Sequence, residues 1–269
     1  MKYMLIQEEF SLCLCCIYFR SIDIPCAIVK GIYKSSSHIV GEDDVEKLLS
    51  TWNAVHVDGS WQLVHPYLIC TPLKTTSPPA DWKVIESSRE EPPSRKATVL
   101  NSFFFAPNPS NFVKLCLPDD SHWQLLDEKV SYSRFIKFPF LRPAFYDSGL
   151  ELKSCDKSVV ISEGGMYTIK IQCLRDTLND LKLMYELASL DKDFQTDTDW
   201  GKLVLCGRNE DMWNVQVKFP IDGTFKISLF AMLFDWFFWV GEYCVISSVA
   251  KDTTAKICVV PVKVFEFSQ

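Results

Sequence analysis

The run from Trp52 to Val64 constrains this chain more than any other stretch. It reads W-N-A-V-H-V, then D-G-S, then W-Q-L-V. Aromatic and β-branched residues flank an Asp-Gly pair, the strongest short-range signal for an antiparallel hairpin. The spacing predicts strands over 52–57 and 61–64 joined by a compact turn at Asp58-Gly59-Ser60. Gly59 suits the left-handed backbone such a turn demands. Trp52 and Trp61 are expected to pack the sheet. Asn53 is expected to hydrogen-bond backbone, as a half-buried amide must.

Upstream, residues 4–22 carry Leu, Phe, Cys, Ile and Tyr with no Gly or Pro before Pro25, which predicts a buried helix. Gln7-Glu8-Glu9 would occupy its first turns, where carboxylates complement the helix dipole. Ile24–Tyr33 reads as a strand, Lys34-Ser35-Ser36-Ser37 as a loop and Val45–Leu49 as a short helix. Helix, strand, then hairpin is an α+β order, assigned to residues 1–70. Residues 71–97 contain Pro72, Pro78, Pro79, Pro92 and Pro93 among Ser, Lys and Glu. That composition cannot build a core and predicts an exposed linker or insertion. A connecting segment is expected over 98–150, with Asn101–Pro107 as a short apolar strand. From 151 to 269 the chain reads as all-β. Apolar stretches recur at 159–161, 167–173, 203–206, 213–217, 225–230, 243–249 and 257–264, divided by Gly- and Asn-containing turns. Short strands with frequent turns predict an immunoglobulin-like β-sandwich.

Composition closes off several function classes. The formal charge is −6 with no basic run, so no nucleic-acid footprint is expected. The eleven cysteines are odd in number, and Cys13, Cys15, Cys16, Cys173, Cys206, Cys244 and Cys258 lie in apolar runs. No secretory signal is read in Met1-Lys2 and the polar Gln7-Glu8-Glu9 that follows. The cysteines are therefore expected to be reduced and buried in a cytoplasmic protein. Cys13-x-Cys15-Cys16 has no second cluster at ligand spacing, so no metal and no cofactor are expected. Ile227–Ile246 has the length of a membrane span, yet Asp235 sits at its middle. A central Asp costs roughly 2.5–3.5 kcal/mol on insertion scales. Two buried strands joined by an aromatic loop, Phe234 to Trp239, are expected instead, with no transmembrane segment.

The hairpin residues carry a resemblance. Trp52-Asn53-Ala54-Val55, Asp58-Gly59 and Trp61-x-Leu63-Val64 resemble the transglutaminase-like (papain-type Cys-His-Asp) core. A second set is similar to the segment that follows that core in the kyphoscoliosis peptidase family. It runs F-F-F-x-P-N-P, then L-P-D-D-S-H-W-Q-L-L with Trp123, then S-x-x-x-F-x-x-x-P and G-L-E-L. Phe219-Pro220 through Gly223 and Phe225-x-Ile227 resemble the family's C-terminal module. The resemblance implies a transglutaminase-like core remnant followed by an immunoglobulin-like sandwich, in a degenerate, N-terminally short member. It also implies protein partners of the cytoskeletal class.

The family's chemistry needs a thiolate, an imidazole and an orienting carboxylate or amide. In the family a His stands two positions before the Trp of the first strand, an Asp follows W-x-L-V, and a Cys opens the preceding helix. The matching positions here are Ser50, His65 and, counting back without gaps, Glu8. A pocket with Glu8, Ser50 and His65 in those places is expected to hold a shape without driving acyl transfer. The reading is a pseudoenzyme acting as an intracellular protein-binding scaffold. The alternative is an active cysteine peptidase or protein-glutamine transglutaminase using a cysteine in another register, with Cys13, Cys15 and Cys16 as candidates. His65 could serve as a base, although a polar strand-end residue beside Pro66 is the plainer reading. His56 is expected to face solvent and His122 to lie on a surface turn.

Overall fold

The computed structural model describes residues 12, 14–35, 38–40, 48–71, 75–76, 100–154, 156–162, 164–174, 183–190, 204–209, 211–219, 221–233 and 236–248. It is mostly β-sheet with a few short helices. A helix over 14–21, α1, precedes β1 (Cys26–Tyr33), β2 (Leu49–Val57) and β3 (Ser60–Val64). Then come α2 (Pro66–Ile69), β4 (Thr75–Thr76), α3 (Pro109–Phe112), β5 (Cys116–Pro118), α4 (Tyr132–Phe135), β6 (Phe140–Leu141) and α5 (Pro143–Asp147). The remaining strands are β7 (Leu150–Leu152), β8 (Val159–Ser162), β9 (Met166–Cys173), β10 (Leu183–Ser189), β11 (Val204–Asn209), β12 (Met212–Lys218), β13 (Gly223–Leu233) and β14 (Trp236–Ser247).

The first sheet has the order β3-β2-β1-β5, antiparallel throughout. Its β2–β3 hairpin closes at Val57 opposite Ser60, with Asp58 at φ 52° and Gly59 at φ 77°. Two successive left-handed residues give the turn whose twist matches the flanking strands, which is why Asp-Gly stands there. Gly31 on β1 answers a different demand. A Cβ at Gly31 would stand 2.3 Å from the Leu117 carbonyl oxygen and 2.6 Å from the Trp52 ring, so only glycine lets β5 and Trp52 close on β1.

Two further sheets form the C-terminal half. One has the order β10-β13-β14-β4, with β6 antiparallel and β8 parallel to β14. The other has the order β11-β12-β9-β7. Ile169, Ile171, Val215 and Val217 from the second meet Phe225, Ile227, Leu229, Tyr243 and Val245 from the first in one core. Alternate residues of each strand supply it, as in sandwich packing. A second core gathers Val29, Trp52, Ala54, Leu63, Phe104, Phe112 and Cys116 and reaches Phe140 and Cys244 of the sandwich.

Several expectations needed correction. N-S-F-F-F-A-P is no strand: Ser102–Phe104 is a 3-10 turn, and Phe105 alone bridges Val64. Phe103 and Phe104 are both buried, and a strand would point such neighbours to opposite faces. The strand β10 was missed. Its sequence, L-M-Y-E-L-A-S, has no β-branched residue, yet it pairs with β13 along its length. The aromatic loop shrinks, because Trp236 to Trp239 already belong to β14, Phe238 is buried and Trp239 packs edge-on against Phe140 at 5.5 Å. Phe234 and Asp235 lie outside the described residues. The helix expected to be buried is so along one stripe only, since Leu12 and Cys16 are buried while Leu14, Ile17 and Tyr18 are exposed. Leu49, expected in a short helix, opens β2. The strand expected at 257–264 lies outside the described residues. Among the described residues no helix is long and apolar enough to cross a membrane.

Candidate functional site

The β2–β3 hairpin brings Ser50 and His65 together. Ser50 lies on β2 opposite Gly31. His65 follows β3, donates its backbone N–H to the Phe104 carbonyl at 3.0 Å and precedes Pro66, the first residue of α2. Proline suits that position because its missing N–H has no helical partner there. The Ser50 hydroxyl and His65 Nε2 are 3.1 Å apart. Both side chains are buried, His65 completely. Its imidazole stacks on Trp52 at 6.3 Å and meets the rings of Tyr33 and Phe104.

Burial decides the electrostatics of this pair. Desolvation pulls the His65 pKa down from 6.5 to about 3, because a charged ring would lose its water on burial. A neutral imidazole can share a hydrogen bond with a hydroxyl. A general base works best with a pKa near the working pH, and His65 lies far below it. Glu8, assigned to the nucleophile position, lies outside the described residues, as does Cys13.

The other motif residues form the walls. Trp52 is fully buried and meets Phe112 edge-on at 5.5 Å. At roughly 25 cal/mol per Å², a buried Trp contributes up to about 4–6 kcal/mol relative to an exposed one. Trp61 touches Trp123 edge-on at 5.1 Å and His56 at 5.2 Å. The W-x-L-V and W-Q-L-L motifs, far apart in sequence, are thus in contact. His56 is half-buried against Trp61, less open than expected, and His122 is exposed in the 3-10 turn Ser121–Gln124.

Asn53 makes the expected hydrogen bond to backbone, at the Ala27 carbonyl, and also faces two sulfurs. Its Nδ2 lies 3.2 Å from Cys16 Sγ and 3.6 Å from Cys26 Sγ, with the Ala27 carbonyl at 3.5 Å. The two sulfurs are 3.1 Å apart. Burial, then the hydrogen bond with Cys16, pushes the Cys26 thiol up to about 12. Burial raises Cys15 as well. Cys26 is thus a protonated thiol, whereas a cysteine nucleophile acts as thiolate. Cys16, Cys26, Cys116, Cys173 and Cys244 are buried, while Cys70 is exposed. Among the described residues no group of His, Cys, Asp and Glu could hold a metal ion.

Sequence reasoning missed Lys34. It lies in the loop expected after β1, but it is fully buried, and its Nζ donates to the carbonyls of Phe135 at 2.7 Å and Phe138 at 3.1 Å. The Phe135 ring lies beneath it at 4.7 Å. Burial lowers its pKa to about 7. A lysine next to three serines gives no hint of this, because its acceptors come from a segment a hundred residues away.

Comparison with known proteins agrees with the motifs. Residues 132–257 match the family model of the KY-like, immunoglobulin-like domain. That match takes in α4, β6, α5 and β7 as well as the later strands. The chain is 26% identical over 212 residues to kyphoscoliosis peptidase of Mus musculus, covering 79% of this chain and 28% of that protein. It is 24% identical over 222 residues to Hillarin of Drosophila melanogaster, covering 77% and 25%. A Lim and transglutaminase domain protein of Caenorhabditis elegans is 24% identical over 220 residues, covering 77% and 28%. The chain spans about a quarter of the length of the curated relatives it matches.

Proposed function

We propose that this chain, a relative of kyphoscoliosis peptidase, is a catalytically inactive transglutaminase-like protein that acts as a cytoplasmic protein-binding scaffold, with cytoskeletal proteins as its partner class. In this reading residues 1–70 are a transglutaminase-like core remnant and 71–97 a Pro/Ser-rich linker or insertion. Residues 98–150 connect that core to an immunoglobulin-like sandwich over 151–269. Glu8, Ser50 and His65 are the degenerate triad positions. Trp52, Asn53, Gly59, Trp61 and Trp123 keep the frame.

The observation that carries the reading is the Ser50–His65 pair. Where the family places an imidazole beside a carboxylate, this chain has a hydroxyl 3.1 Å from a neutral, buried imidazole. Losing the nucleophile or base of a triad costs roughly a million-fold in rate. What remains is a hydrogen bond that holds β2 against the start of α2. The partner class rests on the family resemblance and on the sandwich module.

The test uses the purified full chain. Amine incorporation into a glutamine substrate and cleavage of peptide substrates should both stay at the rate of the protein-free blank. The chain should co-sediment with purified cytoskeletal filaments. Fast stoichiometric alkylation of one cysteine, with turnover that disappears in its Cys→Ala variant, overturns the inactive reading. No co-sedimentation overturns the partner class.

A further inference from the structure

We propose that Cys16 and Cys26 form a redox-reactive dithiol, a modification site at which peroxide closes a disulfide between α1 and β1. The two residues come from different elements and meet beneath the helix. Their sulfurs are 3.1 Å apart, both are free, and both are buried. A disulfide needs about 2.05 Å, so closure asks for a shift of roughly 1 Å. The helix can supply it. It is held by a small cluster of Cys16, Cys26, Val55 and Val64, with Phe19, Ile24 and Ile69 packed on it. The outer face, with Leu14, Ile17 and Tyr18, is exposed.

The surroundings favour sulfur chemistry at this pair. Asn53 Nδ2 aims at both sulfurs, and a donor of that kind stabilises negative charge developing on sulfur. Arg20 binds the Cys26 carbonyl through Nε at 3.2 Å and Nη2 at 2.7 Å, which brings a cation to the site. Cys26 keeps its proton, pushed up by burial and by Cys16. Cys16 Sγ lies nearer the Asn53 donor than Cys26 Sγ does, 3.2 against 3.6 Å, and is assigned as the sulfur that reacts first.

The step balances as follows. Cys16 Sγ displaces water from hydrogen peroxide and becomes a sulfenic acid. Cys26 Sγ then attacks that sulfur, and its proton leaves with the hydroxyl as a second water. Two thiols lose two electrons and two protons, and one peroxide becomes two waters. A low-molecular-weight thiol reverses it by exchange.

The native chain of 269 residues is treated with hydrogen peroxide, quenched, denatured in acid, alkylated and cut with trypsin. Cleavage after Lys2, Arg20 and Lys30 separates residues 3–20 from 21–30. The expected product is these two peptides joined, with fragmentation placing the bond at Cys16 rather than Cys13 or Cys15. Free thiols fall by two, and dithiothreitol restores them. The link should vanish in Cys26→Ser, whose hydroxyl keeps a hydrogen-bonding group in place. Unlinked peptides after native peroxide treatment, or a bond mapped to Cys13 or Cys15, overturn the proposal in the wild-type protein without any variant.

Discussion

At the scale of single residues, burial rather than residue type sets the chemistry. His65 and His38 titrate normally near pH 6.5 but are pulled down to about 3 and about 4, the first by burial and the second by burial and then Lys34. Unfolded, both rings take a proton as pH falls through 6.5, while the folded rings stay neutral until far lower. The unfolded state thus binds more protons in that window, and stability falls as pH drops. Each ring adds a slope of up to about 1.4 kcal/mol per pH unit. Urea unfolding of the wild type should show stability declining between pH 6.5 and 5. His65→Asn should have a shallower decline; an identical slope in the two proteins means that His65 is not held neutral by the fold. The motif letters around His65 gave its neighbours in sequence, but its neutrality comes from burial, and the rings of Tyr33 and Phe104 that meet it are brought from elsewhere in the chain.

At the scale of elements, turns and clips follow local chemistry closely. The Asp58-Gly59 turn was legible because two left-handed residues are a local demand. The W-Q-L-L motif has a reason of the same kind. Gln124 accepts from the Val130 N–H at 2.7 Å and donates to the Val130 carbonyl at 2.9 Å, so one amide imitates a strand neighbour. Leu125 after it adopts φ 53°, and Asp120 caps the 3-10 turn by accepting from the His122 N–H. Gln124→Leu removes both bonds and leaves two backbone groups without them. A loss of about 1–3 kcal/mol is expected, read from the midpoint of denaturant unfolding. A change below a few tenths means the amide is not holding the loop. By contrast, β10 had no local signal, because its strand state comes from lying beside β13.

At the scale of the whole molecule, the two cores are joined through Phe140. Its side chain belongs to the core around Trp52, while its strand, β6, pairs with β14 of the sandwich at Gly241 and Glu242. Arg142 extends the join, donating its N–H to the Val240 carbonyl at 2.8 Å. Phe140→Ala should therefore cost about 3–5 kcal/mol and speed amide exchange in β2 and in β13 together. Faster exchange confined to either half shows that the cores unfold separately. Local chemistry was enough for whatever depends on neighbours along the chain. It marked the hairpin, most sandwich strands and their turns, because alternation and Asp-Gly chemistry act over a few residues. The tertiary structure alone decided that Ser50 meets His65, that Cys16 faces Cys26, that Lys34 is buried on Phe135 and that two consecutive phenylalanines turn inward. Those outcomes depend on desolvation and on partners brought from distant segments, and neither quantity exists until the chain is folded.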